Sequence, residues 1–148
     1  MPNLLRNVLA VVAGLVIGSV LNMLFITISP MVIPPPAGVD VSNPESLSKG
    51  MHLFEPRHFI MPFLAHAVGS LGGALAAYLI AASYKKHFAL AIGALFLCGG
   101  VAASLLIPAP AWFIALDLLV AYLPMAWLGT KIGARMKQEK TVARRQAA

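Results

Sequence analysis

Four stretches of this chain are long, apolar and almost free of charge, and they leave little sequence for anything else. They run from Val8 to Ile28, Phe59 to Ala82, Phe88 to Ile107 and Ala111 to Thr130. Each reaches about 20 residues, the length an α-helix needs to cross the ~30 Å hydrocarbon core of a bilayer. Helix is required because lipid offers backbone N–H and C=O groups no partner, so each segment must satisfy its own. Charged residues make up 11% of the chain, against about 25% in water-soluble domains. With 148 residues, of which 59% are apolar, no sizeable soluble core is possible. The expected fold is all-α, a polytopic membrane protein with four transmembrane helices.

Arg6 ahead of the first run gives it the look of a secretory signal. Its apolar stretch is too long for that, and no small-x-small cleavage site precedes Pro30, so it reads as a retained helix. Cys98 is the single cysteine, which rules out an intrachain disulfide; within an apolar run it reads as a packing residue.

Positive charge sets the expected orientation. Arg6 precedes the first span, Lys85 and Lys86 separate the second and third, and Lys131, Arg135, Lys137, Lys140, Arg144 and Arg145 follow the fourth. Only Lys49 and Arg57 of the eleven basic residues fall on the other side, so the positive-inside rule makes both termini cytoplasmic. Trp112 at the outer side, with Trp127 and Tyr84 at the inner side, suits interfacial belts. The expected organisation is one membrane domain over 1–133 and a basic cytoplasmic tail over 134–148. The net charge of +6 is thereby explained by a tail that meets anionic lipid headgroups, with no need of nucleic acid.

The first outer loop, Ser29 to His58, carries its own punctuation. Pro30, Pro34, Pro35 and Pro36 predict an extended exit from the first helix. Ser42-Asn43-Pro44-Glu45 then reads as a helix start: a capping side chain, proline in the first turn and an acid beside it. Leu47, Met51 and Phe54 recur on one face, predicting a short amphipathic helix on the membrane surface that ends before Pro56.

Small residues recur four apart at Ala10, Gly14 and Gly18, and at Ala65, Gly69, Gly73 and Ala77. Gly129 and Gly133 repeat the spacing after the fourth run. Such stripes allow close helix approach in lipid and predict contact between the first and second spans. They equally suit a homo-oligomer interface.

Against this background one acid stands out. Asp117 is the only carboxylate within the four runs. A helix starting after it, from Leu118 to Thr130, would cover only about 20 Å, so the acid must lie inside the span. Left alone in lipid it would cost about 2.5–3.5 kcal/mol on insertion scales. Counting inward from the outer boundary sets Asp117, His66 and Asn22 at a similar depth of roughly 10 Å. Ser70 lies one turn below His66, and Ser104 lies shallower. His66 is the one ionisable partner at the depth of Asp117. These residues form either an interhelical clasp or a polar pocket open to the outside.

His52, Glu55 and His58 carry metal-ligating groups, but their spacing matches no compact zinc signature and Pro56 interrupts any shared helix. They are expected on a solvated outer rim, with neither metal nor cofactor. Gly38-Val39-Asp40-Val41-Ser42-Asn43, Met51-His52-Leu53-Phe54, Phe63-Leu64-Ala65-His66-Ala67 and Trp112-Phe113 through Leu116-Asp117-Leu118 together resemble an uncharacterised family of small bacterial integral membrane proteins. The resemblance spans nearly the whole chain and implies a four-helix protein of the cytoplasmic (inner) membrane, with no activity attached.

Three functions are compatible with these features. The first is a non-enzymatic accessory or binding protein that self-associates or joins a larger membrane complex. The second is a small oligomeric transporter or proton-linked channel using Asp117 and His66. The third is a membrane enzyme acting on lipid with one of those groups as base. No activated nucleophile, phosphate cradle or metal signature is recognisable, which ranks the enzyme last.

Overall fold

With apolar side chains on nearly every face, all four long runs are helical in the computed structural model, which describes residues 2–146. The helices in order are α1 (Asn3–Val32), α2 (Pro44–Gly50), α3 (Ile60–Ile80), α4 (Lys85–Leu106), α5 (Ala111–Val120) and α6 (Leu123–Gln146). Two 3-10 turns, Met51–Leu53 and Pro56–Phe59, complete the set, and the described residues contain no strand. Four segments are long and apolar enough to cross a membrane: Asn3–Val32, Pro56–Ile80, Lys85–Leu106 and Ala111–Glu139. The protein is therefore a small all-α polytopic membrane protein. Side chains of Lys140, Thr141, Arg144 and Arg145, part of the expected headgroup-binding tail, lie outside the described residues.

One helix end differs from the sequence expectation, and one span is interrupted next to a proline. Helix α1 continues through Pro30, and the extended exit begins only at Ile33. Pro30 has no N–H for the Ile26 carbonyl, yet apolar surroundings offer the chain no better partners, so the last turn stays helical. The Ile33 N–H then closes on the Ser29 carbonyl at 2.9 Å. The fourth span breaks between α5 and α6 at Ala121 and Tyr122. Pro124 explains the break: it cannot donate to the Val120 carbonyl, and its ring crowds that group.

The loop helix forms where its capping pattern predicts. Asn43 Oδ1 accepts from the amides of Glu45 and Ser46 at 2.9 and 3.1 Å. Just before it, the Ser42 hydroxyl and amide donate to Asp40 Oδ1 and hold that carboxyl below its ordinary range. Leu47, Met51 and Phe54 turn inward onto Phe59 and Phe113, so the loop closes over the ends of α3 and α5.

Helix α3 is the centre of the bundle, with α1, α4 and α6 packed around it. Its glycines meet those of α1 backbone to backbone. A Cβ on Gly73 would lie 2.6 Å from the Gly14 carbonyl oxygen, and one on Gly69 would lie 2.9 Å from that of Gly18. Gly129 of α6 approaches the Leu71 carbonyl in the same way, at 2.8 Å. The small-residue stripes thus serve contacts within the chain. At the far end from the loop, Arg6 Nε donates to the Ile80 carbonyl at 2.7 Å, and Asn7 Oδ1 accepts from the Ala82 amide at 2.9 Å. These bonds satisfy the exposed end of α3 and hold α1 antiparallel to it.

Because backbone atoms bound the space at Gly73, no side-chain rotation can make room for a larger residue. Gly73→Val should cost about 1–3 kcal/mol. It should lower the unfolding temperature in mild detergent, whereas Gly99→Val, at an open position on α4, should not.

Candidate functional site

The site begins with the acid. Asp117 lies two turns into α5 and is 5% exposed. Its two carboxylate oxygens each lie 2.9 Å from His66 Nδ1 on α3. The Tyr122 hydroxyl donates to Oδ2 at 3.0 Å. The sequence pairing of Asp117 with His66 is therefore a direct contact, and the acid faces other helices, away from lipid.

Tyr122 is the member that depth counting misses. In a continuous helix a residue five positions on would point about 140° away from Asp117. The break before Pro124 brings Tyr122 back beneath the acid. Its ring stacks on the His66 imidazole, with centroids 5.5 Å apart and planes at 26°. Gly100 on α4 makes this possible, since a Cβ there would run into the Tyr122 hydroxyl. A signal was present in the sequence: a tyrosine at mid-span, far from the interfaces it usually occupies, needs a partner for its hydroxyl.

A cavity of about 360 Å³ opens from this cluster towards the loop end of the bundle. Its floor includes His66 and Asp117. Its walls come from Ile26 and Pro30 of α1, Ala103 and Ser104 of α4, and Phe113 and Leu118 of α5. Met51, Phe54 and His58 roof it. The volume falls at the lower end of the ~300–1,000 Å³ usual for small-molecule sites.

The other predicted residues separate into those at the cavity and those away from it. Ser104 lines the wall, its hydroxyl donating to the Val101 carbonyl at 2.7 Å. Asn22 packs against α3 beside Gly69 and is not hydrogen-bonded to the pair. Ser70 is buried, and its hydroxyl has no protein partner among the described residues. His52 is exposed, with Nδ1 2.9 Å from the Lys49 carbonyl oxygen. Glu55, also exposed, pairs with Arg57 at 3.0 Å.

His58 departs from the solvated rim expected of it and is 8% exposed. Its Nδ1 accepts the Glu55 N–H at 2.9 Å, capping the turn that starts at Pro56, and this draws the ring inward under Phe54. No three histidine, cysteine or acidic side chains converge among the described residues.

No protein-family model, curated protein or solved structure matches this chain.

If the His66–Asp117 contact clasps α3 to α5, the two residues must be energetically coupled. A double-mutant cycle with His66→Ala and Asp117→Ala, read by unfolding in bicelles, should give a coupling of about 1–2 kcal/mol. Simple additivity would show the contact to be energetically idle.

Proposed function

We propose that this chain is a non-enzymatic binding protein of the bacterial cytoplasmic membrane, holding a lipid-soluble molecule in its outer-half cavity. The observation that carries the reading is the cavity of about 360 Å³ with a polar cluster at its floor, mostly apolar walls, and single polar side chains at Ser104 and His58 above. A preformed apolar pocket with a few convergent polar groups is the usual form of a small-molecule site. Ile26 and Pro30 of α1, Ile107 after α4, and Ile114 of α5 bring the cavity wall close to the lipid-facing rim, which suits entry from the bilayer.

In this reading both termini face the cytoplasm, as the positive-inside distribution of lysine and arginine favours. Residues 134–148 serve as the basic tail that meets anionic headgroups, with Lys131 over the Trp127 ring at 5.1 Å marking the interface. The protein acts as an accessory, alone as a homo-oligomer or within a larger membrane complex, where the exposed face of α1 offers Val12, Val16 and Val20 to lipid or to a partner.

A second reading, a proton-linked transporter, is favoured by one observation. Tyr122, Asp117 and His66 form a continuous hydrogen-bonded chain that ends at the cavity.

Native mass spectrometry of protein extracted in gentle detergent tests the first reading. The chain should retain a small lipid-soluble molecule, and Ala103→Trp, which fills the cavity, should release it while leaving the protein folded. Wild-type protein that never carries or takes up such a molecule would contradict the reading.

A further inference from the structure

We infer that the cavity ligand is an uncharged lipophile bearing a carbonyl oxygen, and that this oxygen accepts a hydrogen bond from His66 Nε2. The inference rests on the binding role proposed above and adds the chemistry of the ligand.

The imidazole of His66 has two hydrogen-bonding edges. Nδ1 is committed to the Asp117 carboxylate at 2.9 Å, and the ring face is covered by Tyr122. Nε2 has no protein partner among the described residues, although the side chain is only 24% exposed and lines the cavity. A half-buried ring nitrogen that lines the cavity without a protein partner is available to bond a guest.

For a pair of zero net charge, proton counting sets what that nitrogen offers. A net charge held at this depth is costly, so the pair is most stable when its charges sum to zero. Two arrangements achieve this: an imidazolium facing a carboxylate, or a neutral imidazole accepting at Nδ1 from a carboxylic acid. In both, one proton lies in the Nδ1 contact and the other is on Nε2. The floor therefore presents an N–H donor.

The roof presents a second donor. His58 Nδ1 accepts the Glu55 N–H at 2.9 Å, so its ring proton is on Nε2. Both cavity histidines thus ask for an acceptor. A carbonyl oxygen supplies acceptor capacity alone, whereas a hydroxyl brings a further proton that would need its own partner. No lysine or arginine lines the cavity, so nothing there compensates a ligand's formal negative charge. Phe113, Leu118 and Ile107 offer the remainder of the ligand an apolar wall.

The test is competition on wild-type protein in lipid nanodiscs. An alkyl diazirine is photolysed in the cavity, and labelling of peptides containing Met51 and Phe113 is measured against 2-tridecanone, n-tridecane or tridecanoate. The ketone should compete about tenfold more strongly than the alkane, the value of one hydrogen bond to a polarised donor. The ketone alone should also shift the His66 Nε2 resonance of 15N-histidine protein. Equal competition by ketone and alkane would overturn the carbonyl assignment while leaving a purely apolar binding site. Strongest competition by the carboxylate would overturn it as well, identifying an anion site. Labelling that no compound reduces, and that Ala103→Trp leaves unchanged, would remove the binding role itself.

Discussion

An aspartate cannot be left facing acyl chains, and most of the architecture around α5 follows from that restriction. The carboxylate has only 5% of its residue surface exposed and is engaged by an imidazole and a phenol from two directions. Those contacts require α3 and the turn between α5 and α6 to meet α5 at one depth. The meeting in turn requires the helix break before Pro124 and the absence of a side chain at Gly100. The polar cluster and the irregular backbone beside it are two aspects of one solution. Irregular backbone at membrane depth is tolerated where it is buried in protein, as it is here.

The rest of the bundle is organised on different physics. Lipid supplies no hydrophobic drive for helix association, so α1 and α3 hold together through close backbone approach at Gly14, Gly18, Gly69 and Gly73. The opposite face of α1 leaves Val12, Val16 and Val20 exposed. In water that face would promote aggregation, but in a bilayer it is an ordinary lipid-facing surface. The bundle is therefore tight where α1 crosses α3 and encloses the cavity at the loop end, where Pro30 lines the wall and Met51, Phe54 and His58 form the roof. This asymmetry separates the cavity from the structural core.

Much of this was legible in the sequence because it depends on one-dimensional quantities. Run length and charge position define four spans, and the capping pattern at Asn43 defines the loop helix. The energetic cost of a lone acid, combined with counting from the span ends, leads directly to His66. Counting gives depth but not azimuth, however, and that is why Asn22 was grouped with the pair although it faces α3 at Gly69. Azimuth also hid Tyr122, which a regular helix would have turned away from Asp117. The burial of His58 is hidden for a related reason: it depends on the Glu55 N–H donating to the ring, which no hydropathy pattern records.

The whole arrangement depends on the membrane-embedded acid being satisfied by the imidazole of another helix. Solid-state NMR of the protein in bilayers, with 15N in histidine and 13C in the aspartate side chains, measures this contact directly. A strong dipolar coupling between His66 Nδ1 and Asp117 Cγ is expected, which His66→Phe removes. A carboxyl carbon that couples to lipid or to water and shows no imidazole nitrogen nearby would contradict it.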